Sequence, residues 1–523
     1  MKKQDFQIAT HRLKRGRLCK RCKGQALILG LLFSGVTAVI VLLLFNSAML
    51  TTTKTQLQNA ADAGAYSAAL LQARDANFSA YTNRAMIANQ VAVAQFVSLK
   101  SYFDDASQTN KRANSFLQDP GYRFFPSSAP AWDVGVKVPV NTARTAFASI
   151  SSPAVKALDL LIDALDTAQQ INHVGTMASI MLVADDVVKK NDPLAKVSTS
   201  AFMLGDAALR IKKWGGDSVK QFSANDSSKE SDRFADVVVD RNSTDWFVRN
   251  RASIPAPFWV STVKPCLLAT ASFTTYGFAH FGGTILSTNK KRWLGLDATM
   301  GGGFWTCTYL VPCPVGLCPV TIGFPFPDVG TTAPFLGGSG GSVAGAGGAY
   351  KDATGYKNNP FEAKLYGGAM LSPAIVPAQY RYWVQGPGTT LDSGGGLQKH
   401  YRDVAAPLTT KPTNQSAEEN GGKFPITVEV ERTSASIRDT TKFMPGSQQL
   451  KLQPQLKGET LRALSSAHAF FYRPAQNDSA LFTRTGWQRS DNRTEYQSLF
   501  SPYWQARLAP TSLAEQSASA LGQ

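Results

Sequence analysis

The chain has 523 residues, 43% of them hydrophobic and 17% charged, and a net charge of +17. That length allows several domains at roughly 150 residues each, and the composition excludes wholesale disorder. The charge does not predict nucleic-acid binding: residues 1–24 carry nine Lys and Arg against the single acid Asp5, and the remaining +9 is spread over the rest of the chain without a long basic run.

The basic tail, residues 1–24, runs into an apolar segment, residues 25–50. Residues 26–45 hold no charge, and Ser34 and Thr37 are their only polar side chains. At about 1.5 Å per residue this stretch matches a hydrocarbon core of about 30 Å, and it is longer than the roughly 7–15 apolar residues of a secretion signal. The reading is a permanent anchor in a lipid bilayer. Nine Lys and Arg precede it and only Lys54 falls in the twenty residues after it, so the N-terminus is expected in the cytoplasm and the bulk outside it. Cys19 and Cys22 lie before this segment and Cys266, Cys307, Cys313 and Cys318 after it, which would put the two groups in different redox compartments.

Two motifs bracket the segment: Gly24, Gln25 and Ala26 at its start, and Leu57, Gln58, Asn59, Ala60, Ala61, Asp62 and Ala63 just beyond it. Together they resemble the N-terminal module of TadG-like proteins of the TadE-TadG family, from Flp (tight adherence) pilus assembly. The resemblance implies a bacterial inner-membrane, single-pass protein with a large periplasmic region, working with pilus assembly proteins or pilin subunits. The chain departs from relatives in two places. Leu29 stands where related pseudopilins carry an acidic residue, and no Asp-x-Ser-x-Ser metal motif occurs; "NDSSKESD" at 225–232 reads as a polar loop.

Residues 51–119 contain no proline, one glycine (Gly64) and many alanines, which predicts a long stalk helix. Leu57, Ala61, Gly64, Ala68 and Leu71 form one narrow stripe, and Ala85, Ala88, Ala92, Phe96, Leu99 and Phe103 a second. Such small residues would let a second copy pack closely, giving a homo-oligomer; the simpler expectation is that they dock on the protein's own later helices. Residues 120–216 read as a helical bundle, with one helix capped by Ser152, opened by Pro153 and presenting Val155, Leu158, Leu161 and Leu165.

After Gly215 and Gly216 the texture changes to a β-rich region, residues 217–480. "KFPITVEVERT" alternates Ile426, Val428 and Val430; "SSAHAFFYRP", "QYRYWVQG" and "KLYGGAML" are also strand-like. Residues 336–350 and "NQSAEENGGK" read as loops. Residues 481–523 are expected to dock through Phe500, Tyr503 and Trp504. The expected class is therefore α+β: a membrane helix continuing into helices, followed by a β-rich domain.

Chemistry is sparse. Cys266, Cys307, Cys313 and Cys318 are candidates for two disulfides, with connectivity open. The Cys19–Cys22 pair alone is no zinc site, and "GGSGG" at 337–341 lacks the strand-then-helix setting of a nucleophile elbow. His173, His280, His400 and His468 show no metal spacing. No catalytic residue, cofactor or metal is assigned, and a non-enzymatic structural role is expected. The alternative is a binding module or adhesin released by processing near Gly24 or Ala48.

Overall fold

A computed structural model of the chain describes residues 25–118, 133–226, 228, 232–251, 263–266, 269–326, 339–345, 356, 389–392, 396–397, 400–405, 423–438, 440, 460–473 and 495–521. The basic tail, Pro120-Gly121, "QYRYWVQG", "KLYGGAML" and the "NQSAEENGG" loop lie outside these residues.

Helix α1 runs unbroken over Gln25–Gln118. Its continuity follows from the alanine-rich, proline-free sequence; a bound proline would have removed a backbone donor and bent it. Helix α2, Val138–Asn191, packs along α1. It begins about four turns before the expected Ser152, with Pro139 in its first turn, and passes straight through Pro153. Ser152 is therefore no cap; its hydroxyl instead bonds the Leu391 carbonyl. The buried positions here are Val155 and Ile162, while Leu161 faces outward.

Strand β1 (Ala195–Val197) and helix α3 (Ala201–Lys212) follow. Ser200 caps α3 by accepting the Met203 amide. Then come β2 (Val219–Ser223), α4 (Arg233–Val239), α5 (Trp246–Arg249), β3 (Val263–Cys266), β4 (Ala269–Leu286), β5 (Arg292–Cys313), β6 (Gly316–Phe326) and β7 (Ser339–Gly345). The last of these corrects the loop expected over 336–350: Ser339–Gly345 pairs with β5 on one side and with β8 (Thr389–Asp392) on the other. Glycines suit that position because α1 runs close against the strand. The chain finishes with β9 (His400–Val404), β10 (Lys423–Thr433), β11 (Thr460–Phe471), β12 (Trp504–Ala509) and α6 (Leu513–Leu521). The class is α+β, with long helices and small, mainly antiparallel sheets.

The described strands form three sheets. β1-β10-β11-β12 is antiparallel, β2 pairs with β9, and β3-β4-β5-β7-β8 carries β6 as a further partner of β5. The alternation in "KFPITVEVERT" is realised in β10, where Ile426, Val428 and Val430 are all fully buried. β1 comes from the helical stretch and completes the sheet of the distant C-terminal strands, with Lys196 opposite Glu431.

Candidate functional site

The feature that organises the molecule is α1, and it has two chemically distinct parts. Its first part projects bare: Leu27, Leu29, Leu32, Phe33 and Leu44 are each more than half exposed. This stretch is long and apolar enough to cross a membrane. Its second part, from Leu57, is embedded in protein. One core cluster gathers Leu57, Ala60, Ala61, Ala65, Ala68, Ala69, Ala73 and Ala76 against Ile180, Ala184 and Val188 of α2 and Ile426, Val428, Ala467 and Ala469 of β10 and β11. A second cluster joins Met86, Ile87, Val93, Ala94 and Val97 to Val155 and Ile162, to Phe234 and Val238 of α4, and to Trp293, Tyr401 and Phe500.

The two motifs can now be placed. Gly24 lies outside the described residues; Gln25 and Ala26 open α1, with Ala26 exposed. In the second motif Leu57, Ala60 and Ala61 are buried, while Gln58 and Asn59 face outward and Asp62 sits at the margin. Gln58 donates to Asp62 at 2.9 Å and to the Leu464 carbonyl of β11 at 3.2 Å. The motif is thus a docking surface for the protein's own sheet and helix. Gly64 shows why no larger residue serves: a Cβ there would lie 2.8 Å from Val188 Cγ2 and 3.4 Å from the Ala184 carbonyl oxygen. The first predicted stripe is confirmed, with Leu71 partly buried. The second is displaced: Ala88 is exposed, and Met86, Ile87, Val93, Ala94 and Val97 carry the contact instead. The sheets wrap α1 more broadly than one partner helix would, so a narrow stripe misjudges which positions are covered.

Polar side chains that no motif singles out stitch the embedded part of α1 in place. Asp75 accepts from Asn172 at 2.7 Å and meets His173 Nδ1 at 2.6 Å; the other ring nitrogen of His173 lies 3.1 Å from the Gly215 carbonyl oxygen. Gln169 donates to Thr82 and Asn83, and Asn83 donates in turn to the carbonyls of Arg402 and Leu499. At the edge of the apolar stretch, Asn46 donates to Thr440 Oγ1 at 3.0 Å and accepts the Thr440 amide at 3.1 Å.

Further along, His280 on β4 stands between two carboxylates, 3.2 Å from Asp105 of α1 and 3.2 Å from Asp297 of β5. Burial alone would lower its proton affinity, but the hydrogen bonds and charges of Asp105 and Asp297 prevail and raise its pKa to about 9. Thr299 lies 3.0 Å from His280 Nδ1, an order of groups that resembles a nucleophile, base and acid. The surroundings point elsewhere. The Thr299 hydroxyl donates to Asp105 at 2.5 Å, and Asp297 is held by Arg251 through two bonds of 2.8 Å. Thr299, His280, Asp105 and Asp297 are all buried. This is a closed ionic junction fastening α1 to β4 and β5. His468 accepts from Arg507 at 2.8 Å, and His400 lies exposed at the start of β9. Among the described residues no group of three side chains could hold a metal ion.

Of the four cysteines that follow the apolar stretch, Cys313 and Cys318 form a disulfide across the β5–β6 turn. Cys266 and Cys307 lie on β3 and β5, the two strands that flank β4. The C-terminal aromatics dock as expected. Trp504 stacks on Phe424 with ring centroids 4.8 Å apart, and Phe500 enters the second cluster.

The comparisons with known proteins bear on the first part of α1 and its junction with the core. No curated protein and no solved structure matches the chain. The model of the Tad family, Flp pilus-assembly TadE/G-like, matches residues 24–74, which begin at the predicted membrane entry and end among the buried alanines. Over these residues the chain is similar to the TadE/G-like proteins of Flp pilus assembly.

Proposed function

We propose that this protein is a single-pass inner-membrane component of a Flp-type pilus or related secretion machine, with its bulk in the periplasm and a mechanical role. The observation that carries the reading is that one helix is both a bare apolar rod and the central member of the folded core. Exposed leucines over residues 26–45 cost free energy in water and none in hydrocarbon. The charge on either side gives the direction: nine Lys and Arg before the rod, one in the twenty residues after it.

A second helix, Val134–Asn191, passes the same length and composition test. It packs beside the embedded part of α1 and buries Gln169 and His173 against it, an arrangement that favours one crossing over two. The Asn46–Thr440 pair favours a retained anchor over a released adhesin, since cleavage near Ala48 would discard a side chain that the body holds. No residue is assigned to bond chemistry. The role is to fix a rigid body at the membrane, where pilus subunits or assembly proteins engage it.

The test is a pair of reporters fused after Gln523, one active only outside the cytoplasm and one only inside, combined with crosslinking in intact cells. Activity of the exported reporter and recovery of pilus components are expected. Activity of the cytoplasmic reporter alone would remove the reading.

A further inference from the structure

The β5–β6 hairpin shares one property with the apolar rod of α1, a long run without charge. Between Asp297 and Asp328 the chain has no Asp, Glu, Lys, Arg or His. The two strands pair without a break from Gly303 opposite Phe326 to Cys313 opposite Gly316. Pro314 and Val315 form the turn, Gly316 takes φ +124°, a conformation that favours glycine, and the Cys313–Cys318 disulfide staples the end. Among the described residues β4 accompanies β5 only as far as Tyr309, and beyond it β6 is the strand that pairs with β5.

That free end is apolar on both faces. Leu310 is 61% exposed, Val311 41%, Val315 95%, Leu317 64% and Val320 45%. Leu310 and Val311 are adjacent in a strand and so point to opposite sides, and neither side is covered. A protein groove would shield one face of such a tip. A medium that closes around both faces and solvates no charge is hydrocarbon. The two strands pair along their shared edge to the turn; their outer edges stay open, which confines entry to the short tip, and Pro312, Pro314 and Pro319 carry no N–H and so reduce the donors left bare there. From Tyr309 to Cys313 the free part is about 13 Å long, the depth of one leaflet.

The direction of the hairpin is fixed by its neighbours. Trp293 donates to Gln90 of α1, and six residues on, Thr299 reaches Asp105. β5 therefore runs beside α1, away from the apolar rod. Counted from Asn46 along α1 to Asp105 and then along β5 to Cys313, the tip stands roughly 130 Å from the end of the rod. We infer that the β5–β6 hairpin tip inserts into a lipid surface other than the one that holds residues 26–45, so that the protein bridges two bilayers. The bridging part rests on the anchored reading above; the lipid affinity of the tip does not.

The experiment embeds the full chain in nanodiscs and mixes them with vesicles of pure phosphatidylcholine, followed by flotation. Incorporation into the nanodisc reports on the rod and vesicle capture on the hairpin, so the two readings fail separately. Capture that persists at high salt is expected. Val315→Asp and Leu317→Asp should each reduce it by about tenfold or more, the effect of placing a carboxylate in an apolar medium. Both side chains are exposed, so folding is preserved, and an unchanged urea midpoint checks this. Absence of capture by the unsubstituted protein overturns the proposal. So does capture that survives both substitutions, or tip-dependent self-association of the chain in lipid-free detergent in place of vesicle binding, which would assign the tip to a protein partner.

Discussion

Gly64 offers the sharpest test of how α1 is held. Replacing it with Ala brings a helix-propensity gain of about 1 kcal/mol. Against that, the new methyl would meet Val188 Cγ2 at 2.8 Å, with the Ala184 carbonyl oxygen at 3.4 Å and Val428 Cγ1 at 3.7 Å. Val188 is fully buried and branched, so it has little room to withdraw. Overpacking of this kind costs about 1–3 kcal/mol, which leaves Gly64→Ala destabilising by about 1 kcal/mol on balance. Val188→Ala alone removes packed methyl groups and should cost about 2 kcal/mol. In the Val188→Ala background the clash is absent, so adding Gly64→Ala should stabilise by about 1 kcal/mol, giving a coupling of about 2 kcal/mol between the two sites. Urea unfolding of the four full-length proteins in nanodiscs, followed by tryptophan fluorescence, measures this. Equal effects of Gly64→Ala in both backgrounds would refute the claim that α1 and α2 meet at this point.

The ionic junction makes further predictions. His280 has a folded pKa raised from its ordinary 6.5 to about 9, so its contribution is complete below about pH 6.5 and is lost as pH climbs through 9. The shift corresponds to a fall of order 3 kcal/mol over that window, and His280→Gln should flatten the urea midpoint against pH there. Arg251→Met leaves Asp297 buried without its two-pronged partner and should cost about 3–5 kcal/mol by the same assay. Trp504→Ala deletes the stack on Phe424 and should cost about 3–5 kcal/mol. N-terminal sequencing of the mature protein should find the basic tail ahead of residue 25 still attached; a start at Gln25 or Met49 would count against the retained anchor.

What could be read in advance divides by the range of the forces involved. The apolar rod, the long helix after it and the strand over residues 423–433 are local patterns, and local periodicity announces them. The first stripe on α1 was legible because Leu57, Ala61, Gly64, Ala68 and Leu71 recur at alternating steps of four and three. The second was not, because Met86, Ile87 and Val97 face partners that arrive from residues 234–500, and spacing within one helix carries no record of them. Pro153 misled for a related reason: tertiary packing of α2 along α1 outweighs the local penalty of an interior proline. Asp75, Asp105 and Asp297 resembled ordinary scattered acids, since their partners His173, His280 and Arg251 lie far away in sequence. The bare hairpin tip had one visible sign, thirty consecutive residues without a charge.

The sheet against α1 has a consequence for biogenesis. Leu57 to Ala73 emerge early in synthesis, yet the strands that cover them, β10 and β11, lie at 423–433 and 460–471. During synthesis, the greasy flank of this helix waits for nearly four hundred more residues to be made before its shelter arrives. Shortening the chain ahead of β11 would therefore strand a nascent helix beside the bilayer with nothing to clothe it, a species fit for proteolysis and unfit for assembly.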